Sequence, residues 1–113
     1  MTNFVMLLVE DDALQREVIA EILQTEGYEV IQCSSAEAAE LVVAQSGPEL
    51  RAVIADNNLA GQMTGMELAA YAKSRQPGMI AIVMSGQPLP VRSKDIDFLL
   101  KPFPAARLIE SLR

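Results

Sequence analysis

Histidine is absent from this 113-residue chain, which excludes Ser–His and Cys–His catalysis together with every imidazole metal site. A metal ion here must be held by oxygen, which points to Mg²⁺, Ca²⁺ or Mn²⁺. Cysteine is nearly absent too. The single thiol, Cys33, forms no internal disulfide and builds no metal knot, and its place in an apolar strand suits a small packing hydrophobe. No apolar run approaches the roughly 18 residues that span a bilayer. The run from Phe4 to Val9 is too short for a secretory signal, and Met1 to Asn3 carry no basic residue. The cytoplasm is the expected compartment, with no membrane partner. Positive charge is also short: a net charge of -6 argues against direct binding of nucleic acid.

What is present is a well-patterned globule. Half the residues are apolar, enough for one domain over residues 1–113 to bury a core without staples. No repeat, linker or low-complexity tract interrupts it. Phe4 to Val9 and Met79 to Met84 are apolar throughout, as expected of strands buried on both faces, and Tyr28 to Cys33, Ala52 to Ala55 and Ile96 to Leu100 read as the other three strands. Between them lie helical patterns. Ala13 to Glu26 carries Leu14, Val18 and Ile22 at i, i+4 and i+8, with Gly27 as its stop. Ser34 with Glu37 reads as a capping box for a helix to about Gln45, ended by Gly47-Pro48. Thr64 with Glu67 caps another, to about Arg75, closed by Pro77-Gly78. Pro104 to Arg113 forms the last, with Leu108 and Leu112 one turn apart.

Alternation of buried strands with helices predicts a doubly wound, five-stranded parallel α/β sheet with helices on both sides. Ligand sites in such sheets lie beyond the carboxyl ends of the strands. There the chain places Glu10-Asp11-Asp12 after the first strand, Asp56 after the third, Ser85-Gly86 after the fourth and Lys101-Pro102 after the fifth. Singly, each has a bland explanation: a helix-dipole anion, a turn residue, a Ser-Gly turn, a solvated lysine. Together they surround one cleft with carboxylates, a hydroxyl and a cation.

On these residues the sequence resembles the response-regulator receiver family of two-component signalling, flavodoxin-like and CheY-like in fold. The matching segments are Leu7-Leu8-Val9-Glu10-Asp11-Asp12, Val53-Ile54-Ala55-Asp56, Met84-Ser85-Gly86 and Lys101-Pro102-Phe103. Asn58-Leu59, Gly61, Met63 and Gly65-Met66-Glu67-Leu68 are similar to the loop that follows the family's phosphorylated aspartate. The resemblance implies that Asp56 accepts a phosphoryl group. It implies Mg²⁺, or Mn²⁺, held by Asp11, Asp56 and the Asn58 backbone carbonyl, with Glu10 acting mainly through a metal-bound water and Asp12 less directly. A hard divalent cation relieves repulsion between gathered carboxylates. Lys101 would pair with Asp56 at rest and with a phosphoryl oxygen afterwards, beside a cis bond to Pro102. Ser85 would donate to another phosphoryl oxygen, with the Gly86 N–H left approachable. Phe98 takes the switch-aromatic position, turning inward as Ser85 moves toward Asp56, in a two-population shift of a few kcal/mol at most.

The same resemblance implies a histidine kinase or a histidine phosphotransfer protein as donor. Output is expected to pass through another protein, since the chain stops at Arg113. One departure stands out. Only fifteen residues lie between Ser85 and Lys101, and Pro88, Pro90, Arg92, Ser93, Lys94 and Asp95 supply no helical period. The family's helix between strands four and five is therefore expected to be reduced or absent, and with it much of the usual output and dimerisation face, leaving a monomer or weak dimer. The small residues that commonly open strand five are missing as well. Asn58 and Gln87, each two residues past Asp56 and Ser85, hold the positions that tune phosphate lifetime, and two amides able to orient water predict a short-lived acyl phosphate. Three rivals remain: a pseudo-receiver interaction module that is never phosphorylated, an aspartyl-phosphate hydrolase, and a flavodoxin-like cofactor binder. Asn58 standing where the hydrolases carry a second acid weighs against the second. The absence of glycine from the first strand–helix turn weighs against the third.

Overall fold

Every strand of the computed structural model, which describes residues 5–89 and 93–113, belongs to one parallel sheet. The elements run β1 (Val5–Val9), α1 (Ala13–Thr25), β2 (Glu29–Cys33), α2 (Ala36–Ser46), a 3₁₀ turn (Gly47–Glu49), β3 (Leu50–Asp56), α3 (Gly65–Arg75), β4 (Ile80–Ser85), β5 (Asp97–Leu100) and α4 (Ala105–Ser111). Strand order is β2-β1-β3-β4-β5. This is the flavodoxin-like doubly wound arrangement, whose order reverses between β1 and β3.

The continuous apolar strands follow from burial on both sides. Leu7, Val9, Val53, Ala55, Ala81 and Val83 face α2 and α3, meeting Ala39, Val43, Leu68 and Ala72. Their sequence neighbours Met6, Leu8, Ile54, Ile82 and Met84 face α1 and α4, meeting Leu23, Leu108 and Leu112. Successive side chains on a strand point to opposite faces, so both must be apolar when each face is roofed. Register then aligns the strand ends: Val9 pairs with Ala55, and Asp56 with Met84. No helix joins β4 to β5 among the described residues. Pro88, Ser93, Lys94 and Asp95 lie outside any helix or strand, while Pro90 and Arg92 fall outside the described residues.

Two local expectations are corrected. Leu14 and Val18 do not face the core: they are 72% and 52% exposed, and α1 buries Ile19, Ala20 and Leu23 instead. The cap of α2 is Ser35, not Ser34, its side chain accepting from the Ala38 N–H at 3.2 Å. Glu37 makes no capping box there. Its carboxylate accepts from the Met63 N–H at 3.3 Å, tying α2 to the loop after β3. At α3 the Thr64–Glu67 capping box forms in both directions. Gly27 ends α1 with φ of 92°, a left-handed conformation that glycine adopts without penalty.

Candidate functional site

The first strand–helix turn delivers the acids. Glu10 follows the last residue of β1, and Asp12 caps α1 by accepting from the Gln15 N–H at 3.0 Å. Between them, Asp11 is exposed while Glu10 is 1% exposed. Arg16, one turn into α1, donates to the Glu10 carbonyl at 2.7 Å and pins that turn to its helix. Asp56 ends β3 and is largely buried. Carboxylate oxygens of Glu10, Asp11 and Asp56 lie within 4.8 Å of one another.

Into this cluster β5 sends Lys101, over a cis bond to Pro102. Its ammonium donates to Glu10 Oε1 at 2.8 Å and Asp56 Oδ2 at 3.1 Å. Burial disfavours that charge, but hydrogen bonds to the two carboxylates outweigh it, and the Lys101 pKa rises above its ordinary 10.5. Glu10 moves up as well. Burial is the chief cause, the nearby Asp56 charge adds to it, and the Lys101 contact opposes both without cancelling them.

The neighbouring backbone is tightly fitted. The Asn57 side chain accepts from the Met66 N–H at 3.1 Å, and the Asn58 N–H donates to Asp56 Oδ1 at 3.2 Å. Gly65 packs directly on the Asp56 carbonyl: a Cβ there would stand 2.2 Å from that oxygen. Ser85, buried at the end of β4, accepts from the Gln87 N–H through its hydroxyl at 3.2 Å and from the Lys101 N–H through its carbonyl at 2.8 Å. Gly86 and Gln87 are exposed and Phe98 is half-buried. A wider cleft of about 700 Å³ lies between α1 and α4. It contains none of the clustered acids and no lysine, so the acid cluster and Lys101 lie apart from it, at the strand ends.

Sequence reading named Glu10, Asp11, Asp56 and Lys101, and the fold brings these four together. It missed Gln15, whose side-chain oxygen accepts from Lys101 Nζ at 2.8 Å. Asp12 and Gln15 carry a capping-box spacing, and that signal points to a helix start and away from a lysine distant in the chain. Gly65 was visible only as part of a motif, because a close approach of backbones leaves no local mark.

The family model for the response regulator receiver domain matches residues 6–113. The chain belongs to the response-regulator receiver family. Receivers of this family are signalling modules and not metabolic enzymes, which sets the hydrolase reading aside. Among relatives, the chain is 34% identical over 111 residues to the response regulator protein FleR of Pseudomonas aeruginosa, covering 93% of this chain and 23% of FleR. It is 35% identical over 106 residues to the two-component response regulator ORR6 of Oryza sativa subsp. japonica, covering 86% of this chain and 62% of ORR6. This receiver thus spans less than two thirds of either relative. A response regulator receiver protein from Sinorhizobium medicae shares the fold, with a TM-score of 0.90 at 24% identity over 97% of this chain and 91% of that one.

The donor set suits the ion that such receivers bind. Three carboxylates converge with oxygen donors only, and excess negative charge remains after Lys101 is counted, the environment a hard divalent cation favours. Among the described residues no helix is long and apolar enough to cross a membrane.

Proposed function

We infer that this receiver accepts a phosphoryl group on Asp56 from a phosphohistidine protein, in a Mg²⁺-dependent step. The supporting observation is the Lys101 ammonium lying between Glu10 and Asp56, with Asp11 beside them. Asp56 supplies the nucleophile. One of its carboxylate oxygens forms a bond to phosphorus as the P–N bond of the donor breaks, and the departing imidazole takes a proton from solvent. Glu10, Asp11, Asp56 and the Asn58 carbonyl would hold the metal. Bound Mg²⁺ neutralises charge that would otherwise repel the incoming phosphoryl group. Lys101 would neutralise it too, and Ser85, at the carboxyl end of β4, would donate to a phosphoryl oxygen.

Docking of the donor protein would use the apolar rim beside Lys101. Leu14, Val18, Ile19, Ile22, Pro102 and Phe103 line an open cleft of about 560 Å³ that Gln15 and Lys101 share. An exposed apolar patch contiguous with a reactive rim marks a place where a macromolecule binds. Output would follow from a population shift involving Ser85 and Phe98. Asn58 and Gln87, both exposed beside the site, would admit the water that ends the signal.

Incubation with a small phosphodonor and Mg²⁺ tests the reading by intact-protein mass. One phosphoryl group should be gained by the native chain and none by Asp56→Asn. An unmodified native chain under saturating donor and metal overturns it.

A further inference from the structure

The Lys101 ammonium has three protons, and three acceptors take them: Glu10 Oε1 at 2.8 Å, Gln15 Oε1 at 2.8 Å and Asp56 Oδ2 at 3.1 Å. Two of these acceptors are carboxylates of the acidic cluster. Gln15 is the third, a neutral amide from the first turn of α1. Its backbone is held there by the Asp12 cap, which accepts from the Gln15 N–H. In a capping box the Glu or Gln three residues after the cap folds back onto the N–H of the cap residue. At α3 the equivalent Glu67 does so, accepting from the Thr64 N–H at 2.9 Å. At α1 the Asp12 N–H points instead at Glu10 Oε2, 3.4 Å away, and the Gln15 side chain reaches across to β5. Half a capping box is forgone, and Lys101 receives an uncharged acceptor on its solvent side.

We propose that Gln15 is a positioning residue for Lys101, holding the ammonium in place when the carboxylates are engaged elsewhere. The proposal rests on the reading of Asp56 as phosphoacceptor. Lysine is a point charge on a flexible stem, and its direction is set by its acceptors. Glu10 and Asp56 both belong to the cluster that fits a divalent cation, and Asp56 is also the group to be phosphorylated. Each therefore gives up part of its hold on Lys101 as metal and phosphoryl group arrive. The Gln15 oxygen, neutral and outside the cluster, is drawn by neither. It keeps one ammonium proton fixed, so another can follow the negative charge from the Asp56 carboxylate to a phosphoryl oxygen with little movement of the nitrogen.

The test uses beryllofluoride with Mg²⁺ as the phosphoryl mimic, its affinity followed by ¹⁹F NMR. Gln15→Met keeps the length of the side chain and a good helix former while deleting the acceptor. It should weaken beryllofluoride binding about fivefold, the scale of one exposed hydrogen bond to a charge. In a Lys101→Met background the same substitution should have no effect. Exchange of the Lys101 ammonium protons with water, read by ¹H–¹⁵N NMR in the Mg²⁺-beryllofluoride state, should quicken in Gln15→Met, and Gln15→Glu should restore slow exchange. Unchanged affinity and exchange in Gln15→Met would overturn the proposal, as would an equal loss of affinity with and without Lys101. If Lys101→Met binds too weakly to measure, the exchange rate decides alone. Failure of the native chain itself to bind, or binding that survives Asp56→Asn, identifies the phosphoacceptor reading as the one at fault, and the proposal falls with it.

Discussion

Glu10 shows how one buried side chain couples the site to pH. It is 1% exposed beside Asp56, and its pKa is raised above 4.5, first by burial and then by its acidic neighbour, against the pull of Lys101. A carboxylate raised in the folded state holds its proton more tightly than the unfolded chain does. Its protonation therefore favours the fold, and that contribution is lost as pH climbs through the raised value. For a cation the sign reverses, because proton and metal compete for the same oxygens. Divalent-ion affinity should decline on acidification from a pH above 4.5, and Glu10→Gln should bind more weakly but with a flatter pH profile. Mg²⁺ titrations at a series of pH values check this, and parallel profiles for the two proteins would contradict it. Lys101 works in the same direction as an ordinary paired lysine: its stabilisation is present at neutral pH and disappears as pH rises through a pKa lifted above 10.5.

Among the elements, helix starts carry the most local information and also the most ambiguity. Ser34 and Ser35 are equally good caps by residue type. The helix chooses Ser35, because that register buries Ala36, Ala39 and Val43 against the sheet and leaves Glu37 free to hold the Met63 N–H. Ser35→Ala should cost about 1 kcal/mol of stability, whereas Ser34→Ala should fall within about 0.5 kcal/mol of the parent. Urea unfolding of the two variants reads the difference, and equal losses would place the cap at neither residue alone. The α3 start had no such competitor, and its Thr64–Glu67 box formed as its spacing predicted.

At the scale of the whole molecule, α1 divides its apolar residues between two tasks. Leu23 is fully buried under the sheet, and Leu14 is 72% exposed beside Pro102 and Phe103. Leu23→Ala should destabilise the fold by about 2–5 kcal/mol through lost burial and the cavity left behind. Leu14→Ala should change stability by less than about 0.5 kcal/mol. Leu14→Ala should nonetheless slow phosphotransfer from a histidine-phosphorylated protein while leaving phosphorylation by a small donor intact. Paired denaturation and phosphotransfer assays separate the two roles. Equal transfer from the protein donor would remove that rim from the docking surface.

The sequence by itself determined the parallel α/β sheet, since β1, β3 and β4, apolar on both faces, can be satisfied only beneath two helical layers. It also determined that the acids, Ser85 and Lys101 would stand at the carboxyl ends of their strands, because strand direction and chain order leave no alternative. Tertiary structure decided the rest. Which of two apolar stripes α1 would bury depended on the shape of the sheet beneath it: helical spacing fits Leu14, Val18 and Ile22 as well as it fits Ile19 and Leu23. That Gln15 would turn from its own helix cap to Lys101, and that Gly65 would press on the Asp56 carbonyl, depended on residues far apart in the chain coming within hydrogen-bond or contact distance. Local pattern records the preferences of a segment, and only packing selects the partners those preferences meet.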